Sequence, residues 1–237
     1  MVDPNSSTGL SDVRMVDHDV ILVRKGYPAV EVFSDNYEAN VGLELGGAYV
    51  EFTRGFGIVD VNIRGYTHRF VNTHLEIRGA TDSVFRLFQY YQMVELLGTI
   101  DFINAMYGPK PIILVGDFNS SPDDVPGYGL HPDPEIGYLP YVPPYMLAVE
   151  AEYLDTWLLQ KKFDEGYTSG FDEYVSDPDA TLTTRIDLIF LDPMGLIVKS
   201  VKCNVVGDEI SDMTPSGLWP SDHAGVVSKV KLFKPKK

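Results

Sequence analysis

Residues 111–122 read PIILVGDFNSSP, an unbroken apolar run of strand length that stops abruptly at Asp117 and gives way to Asn119, Ser120 and Ser121. A short apolar run bounded by turn-forming residues is the mark of a strand covered on both faces. Polar side chains placed where such a strand ends are well positioned for function. Upstream, residues 83–107 change period, with Val84, Leu87, Phe88, Tyr91, Val94, Leu97, Ile100 and Ile103 at helical spacing. Thr81, Asp82 and Ser83 offer N-cap oxygens, and Gly108 followed by Pro109 is a stop signal. A strand fed by a long helix therefore sits at the centre of the chain.

Further upstream, residues 48–53, 56–63 and 68–75 alternate apolar and polar residues, with Arg64, Gly65 and Tyr66 as a turn. Three such strands in series predict antiparallel pairing. Val20 to Val23, closed by Arg24, Lys25 and Gly26, predicts a strand over residues 19–25 with two covered faces. Downstream, residues 122–145 repeat Pro, Gly and Tyr and are expected to form an irregular surface insertion. Residues 146–160 predict a helix, and 184–191, 197–206 and 224–232 predict strands. Many strands and only two helices imply an α+β fold with packed sheets, not a doubly wound parallel sheet. No internal repeat is evident.

The composition agrees. With 237 residues, 44% hydrophobic and 22% charged, the chain can bury a core, and one domain over 19–237 after a poorly determined segment 1–18 is expected. The net charge of −15 excludes a broadly basic nucleic-acid grip, so a phosphate-bearing substrate must be met by a local site holding a cation. Cys203 is the single cysteine, which excludes an intrachain disulfide and a cysteine metal cage. Neither a signal-peptide pattern nor an apolar run long enough to span a bilayer is read, and a soluble chain is expected, its compartment open.

Four clusters combine strand ends with reactive side chains: Asn72, Thr73 and His74; Asp117 and Asn119; Arg185 and Asp187; Asp222 and His223. Carboxylates, an amide and two imidazoles suit a hard, oxygen-ligated cation, proton transfer and phosphate stabilisation. Zinc is disfavoured, because neither HExxH nor CxxC spacing occurs. Each cluster also has a structural reading. Asp117 and Asn119 suit an Asx-turn, His74 a satisfied core histidine, and Asp222 a turn. Asp187 lies between apolar runs and needs a partner other than Arg185, since residues two apart in a strand stand roughly 7 Å from each other. His18, His68 and His131 are given no site role.

In order, NTHLE (72–76), GDFNSSP (116–122), RIDLIF (185–190) and SDHAGV (221–226) resemble the endonuclease/exonuclease/phosphatase family, the deoxyribonuclease I-like superfamily. GYTS at 166–169 resembles a family segment as well. The resemblance implies a two-layer β-sandwich flanked by helices, and a Mg²⁺-dependent phosphoesterase site in which Mn²⁺ is the substitute ion. By similarity Asp117 orients or deprotonates the attacking water, and Asn119 holds it or a phosphate oxygen. His223, oriented by Asp187, contacts the scissile phosphate. His74 stabilises the pentacovalent phosphorus or assists the leaving group. Asp222 binds the metal together with Asp117 and Asn119.

The resemblance also implies two strands upstream of residue 19, the second ending in the principal metal-binding Glu; residues 1–18 contain no glutamate. Three expectations follow: a reading frame that begins inside a longer enzyme, an active chain with a weakened site or a borrowed carboxylate, or an impaired descendant that binds a phosphate ligand or a protein. Missing strands would leave a sheet edge uncovered and invite self-association. The expected substrate is a phosphoester in a nucleic acid, a small molecule or a lipid headgroup. Arg54, Arg64, Arg69, Arg78 and Arg86 form either a phosphate-facing patch or structural ion pairs. Tyr138 and Tyr141 either stack on bases or headgroups or pack inward.

Overall fold

Residues 56–63 and 68–75 do pair as a hairpin. In the computed structural model, which describes residues 18–235 except 46, 81, 82, 162 and 163, β4 (Gly55–Ile63) runs antiparallel to β5 (Tyr66–His74). Two residues, Arg64 at φ 54° and Gly65 at φ 85°, make the turn, the double positive φ that matches the twist of tightly joined strands. The long helix is α1 (Val84–Tyr107), capped at its end by Gly108 at φ 80°. It carries the chain across to β6 (Ile112–Asp117), which lies parallel to β5. The expected N-cap residues Thr81 and Asp82, and residues 1–17 of the N-terminal segment, lie outside the described residues.

Around this unit the chain adds β1 (Ala29–Asn36), β9 (Leu154–Asp155) and β10 (Asp187–Asp192), giving a six-stranded sheet in the order β1-β4-β5-β6-β10-β9. Alternation along the pleat gives the sheet two different faces. Ile58, Val71, Leu114, Leu188 and Phe190 pack with Met93, Leu96, Ile100 and Ile103 of α1 in one core. The opposite face carries Val59, Phe70, Val115 and Ile189, and toward that side β11 (Ile197–Val206) and β12 (Gly225–Phe233) form a second, two-stranded layer. Trp157, Val201 and Cys203 are the buried centre of that layer, with Val226 and Val230 packed on them. The architecture is therefore α+β, two layers of sheet flanked by helices, as expected.

Gly116 shows why the motif begins as it does. At φ 148°, a Cβ here would stand 1.9 Å from the Thr73 carbonyl oxygen of the neighbouring parallel strand, so only glycine lets β5 and β6 approach at the site.

Four expectations are corrected. Residues 19–25 form no strand; Val20 and Leu22 are exposed, and the Val20 carbonyl meets the sheet only through the Asn72 side-chain amide at 3.5 Å, a side-chain contact in place of a backbone ladder. Residues 48–53 (β3, Ala48–Phe52) pair not with β4 but with β2 (Val41–Leu45), in a hairpin of their own whose connection includes Gly47 at φ 83°. The 122–145 segment is not irregular throughout: β7 (Gly127–Leu130) and β8 (Tyr138–Tyr141) form a hairpin. The helix expected over 146–160 is only α2 (Pro144–Glu150). Beyond it, Asp155 is drawn into the sheet edge by Arg185 at 2.7 Å and by the Trp157 N–H at 2.9 Å.

Candidate active site

Strand register builds the site. His74 ends β5, Asp117 ends β6 and Asp187 begins β10; His74 lies opposite Asp117, and Asp117 opposite Asp187. Directly opposed residues point to the same side of a sheet. A row of imidazole, carboxylate and carboxylate therefore crosses three strands, on the face turned away from α1. His223 joins from the entrance to β12. Ser169 bridges to both Thr184 and His223, and the fully buried Thr168 accepts the Ala224 N–H while its hydroxyl receives the N–H groups of Ile186 and Asp187. The GYTS segment thus fastens β10 to the histidine.

His74 Nε2 is 3.4 Å from Asp117 Oδ2, and His223 Nδ1 is 2.9 Å from Asp187 Oδ2 and 3.9 Å from Asp117 Oδ2. Ligand-type atoms of Asp117, Asp187 and His223 all fall within 4.8 Å of one another. Asn119, at φ 48°, closes an Asx-turn: its N–H donates to Asp117 Oδ1 at 2.7 Å. Its amide nitrogen donates to the Leu75 carbonyl and approaches Asp117 Oδ2 at 3.4 Å. The turn reading is met, and Asn119 holds the Asp117 carboxylate in place.

The electrostatics follow from burial and crowding. Asp117 is pushed up to about 7, first by burial and then by repulsion from Asp187. His223 is raised to about 9 by its hydrogen bond to Asp187, with the charges of Asp187, Asp117 and Asp222 adding to it against the opposing effect of burial. Two crowded carboxylates, one of them resisting ionisation, form a donor set that a divalent cation relieves, and hard oxygens suit Mg²⁺ or Mn²⁺. The residues present fit such an ion.

Asp222 does not join the group. It is exposed, in a bend before His223, its carboxylate accepts from the Ser221 hydroxyl at 3.1 Å, and it is not among the residues whose ligand-type atoms cluster with Asp117. Asp187, by contrast, stands in the candidate metal group as well as behind His223.

The arginine patch resolves mostly into structure. Arg69 is buried against Asp60 and Asn104, and Arg78 and Arg86 share Asp124. Arg64 lies exposed in the β4–β5 turn, and Arg54 reaches the site, its guanidinium 3.0 Å from His74 Nδ1. Tyr141 is buried, whereas Tyr138 is exposed. Sequence reasoning missed Gln89 and Gln92, both fully buried on α1. Gln89 Nε2 donates to the carbonyls of Glu76 and Asn119, and Gln92 Oε1 accepts from the Glu76 N–H. The two loops that follow His74 and Asp117 are thus riveted to the helix. Glutamine interrupting an otherwise apolar helical stripe was the signal.

The mixed, two-layer fold gathers two carboxylates and two imidazoles at neighbouring strand ends, a set of side chains that could hold a metal ion. The family model described as "Endonuclease/Exonuclease/phosphatase family" matches residues 49–223, and the chain belongs to that family. Membership points to a hydrolase of the phosphoesterase or nuclease type, of a family that generally uses divalent metals. Among solved structures, the endonuclease/exonuclease/phosphatase from Bacteroides vulgatus is 18% identical with a TM-score of 0.51, over 86% of this chain and 66% of that one. Truncated TDP2 from Caenorhabditis elegans is 16% identical with a TM-score of 0.49, over 87% and 75%. The human Nocturnin catalytic domain with bound sulfate anion is 18% identical with a TM-score of 0.48, over 86% and 60%. The chain spans 58% of another C. elegans TDP2 structure. At these identities the likeness is one of fold. No curated protein matches the sequence. Among the described residues, no helix is long and apolar enough to cross a membrane.

Proposed function

We propose that this chain hydrolyses phosphoester bonds with Mg²⁺, or Mn²⁺ in its place. The observation that carries the reading is the register-aligned row His74, Asp117 and Asp187 with His223 closing on it. Asp117 and Asp187 would hold the ion, which when bound supplies charge neutralisation for the phosphoryl oxygens. The protein's own groups divide the remaining work. Asp117, at the end of β6, would orient a water and take its proton as the water attacks phosphorus in line. Asn119 fixes that carboxylate through its backbone N–H. Asp187 receives Nδ1–H of His223, so the ring is held as an imidazolium whose Nε2–H faces outward to a phosphoryl oxygen or the leaving oxygen. His74 supplies a second donor across the same gap.

The acidic chain favours a substrate gripped at one phosphate over a long duplex. Initial rates on plasmid DNA, single-stranded oligonucleotides, bis(p-nitrophenyl) phosphate and phosphoinositide vesicles, each with Mg²⁺, Mn²⁺ or EDTA, test the reading. Metal-dependent release from at least one class is expected, fastest on the short substrates. A folded, metal-supplied protein inert on all four would refute it.

A further inference from the structure

We propose that Arg54 is a positioning residue that fixes the tautomer of His74, with Nδ1 as hydrogen-bond acceptor and Nε2 as donor, so that His74 presents a hydrogen-bond donor and not a proton acceptor to the reacting phosphoryl group. The inference deepens the hydrolase reading and rests on it for the ring's purpose, though not for the ring's state.

The argument is one of donors and acceptors. Arg54 stands just before β4, and its Nη1 is 3.0 Å from His74 Nδ1. A guanidinium carries five donors and no acceptor, and it stays charged at any working pH. The facing Nδ1 must therefore offer its lone pair, since a proton there would set donor against donor. The ring's proton then resides on Nε2, which points to Asp117 Oδ2 at 3.4 Å. Glu76 holds the guanidinium from behind, with Oε1 4.0 Å from Arg54 Nη2. Glu76 is itself buried; Oε1 also accepts the Ile77 N–H, and Oε2 has no hydrogen-bond partner among the described residues. The arrangement runs carboxylate, guanidinium, imidazole, carboxylate. At His223 the order is inverted: a carboxylate, not a guanidinium, faces Nδ1. The two histidines are thereby turned to opposite uses by the group behind each: Nδ1 of His74 accepts, whereas Nδ1 of His223 donates.

The test is long-range ¹H–¹⁵N correlation of the imidazole nitrogens in the full-length ¹⁵N-labelled chain at neutral pH, with His74→Gln to assign the signals. The wild type is expected to show pyridine-type Nδ1 and pyrrole-type Nε2 for His74. Arg54→Met, which removes the donor at similar volume, is expected to convert this to a mixed or doubly protonated ring; Arg54→Lys, which restores a cationic donor, is expected to recover the wild-type pattern. Where turnover is found, Arg54→Met should lower kcat roughly ten- to a hundredfold with KM little changed, the loss of a donor used in the transition state. A His74 ring protonated at Nδ1 in the wild type, or a pattern indifferent to Arg54→Met, overturns the proposal. Should Arg54→Met not fold, the wild-type and Arg54→Lys spectra decide on their own. Absence of turnover in a wild type with the expected ring pattern strikes the hydrolase reading and leaves the Arg54 assignment standing.

Discussion

His223 Nδ1 lies 2.9 Å from Asp187 Oδ2, although 36 residues separate them in the chain. The contact settles which way the ring faces: with Nδ1–H donated inward, Nε2 is turned to the open side of the site. Asp187→Asn keeps the shape and removes the charge that favours the imidazolium. The expected outcome is a fall in kcat of about 100-fold or more, with little change in melting temperature. Steady-state kinetics beside a thermal melt separate this from simple unfolding, and an unchanged kcat would dismiss the pair as structural.

Stability should fall as pH rises in the absence of metal. His223 has a folded-state value of about 9 against about 6.5 unfolded, so its contribution is full below about 6.5 and is lost as pH rises through about 9. Asp117 has a folded-state value of about 7 against about 3.9 unfolded, so ionising it in the folded protein costs stability between about pH 4 and 7. Both slopes have the same sign. Melting midpoints in EDTA should therefore drop from about pH 5 to 9, and Mg²⁺ should restore them most above about pH 7, where it meets an ionised Asp117. A midpoint that climbs with pH in EDTA contradicts the assigned shifts.

Gln89 bridges the carbonyls of Glu76 and Asn119 at 2.8 and 2.7 Å. Gln89→Met fills the same space but leaves two buried acceptors without a donor, at a cost of about 1–3 kcal/mol. Chemical denaturation measures that cost. Activity should fall further than stability alone explains, because the loops that follow His74 and Asp117 lose their common anchor.

The fold was readable where one signal dominates. The apolar run ending at Asp117, the helical stripe of α1 and the Arg64–Gly65 turn each name their own structure, because periodicity and φ preference are local. Asp155 was not readable, since its partner Arg185 lies 30 residues away and pulls the chain out of a helix that local sequence favours. The Tyr- and Pro-rich hairpin β7–β8 was hidden for a related reason: strand pairing there rests on Tyr141 packing inward, a tertiary fact. In the site, motif order brought His74, Asp117, Asn119, Asp187 and His223 to notice. The exposed position of Asp222, the role of Gln89 and the guanidinium behind His74 depend on which way side chains turn, and only the register of β5, β6 and β10 shows that.

Among the described residues β1 pairs only with β4, and its Val30 and Phe33 are exposed. Such an edge templates pairing with a second copy. The purified chain is expected to show concentration-dependent self-association by light scattering, and Val30→Lys to shift it toward the monomer. A chain that stays monomeric at high concentration shows the edge to be covered or too twisted to pair.

The most direct test of the whole account is the Mg²⁺-dependent rate of bis(p-nitrophenyl) phosphate hydrolysis by the wild type, Asp117→Asn and His223→Ala, measured together against EDTA. Turnover that requires metal and falls at least about 100-fold in each variant, with the fold intact by circular dichroism, is the predicted result. Metal-independent turnover, or rates that survive both substitutions, would contradict it.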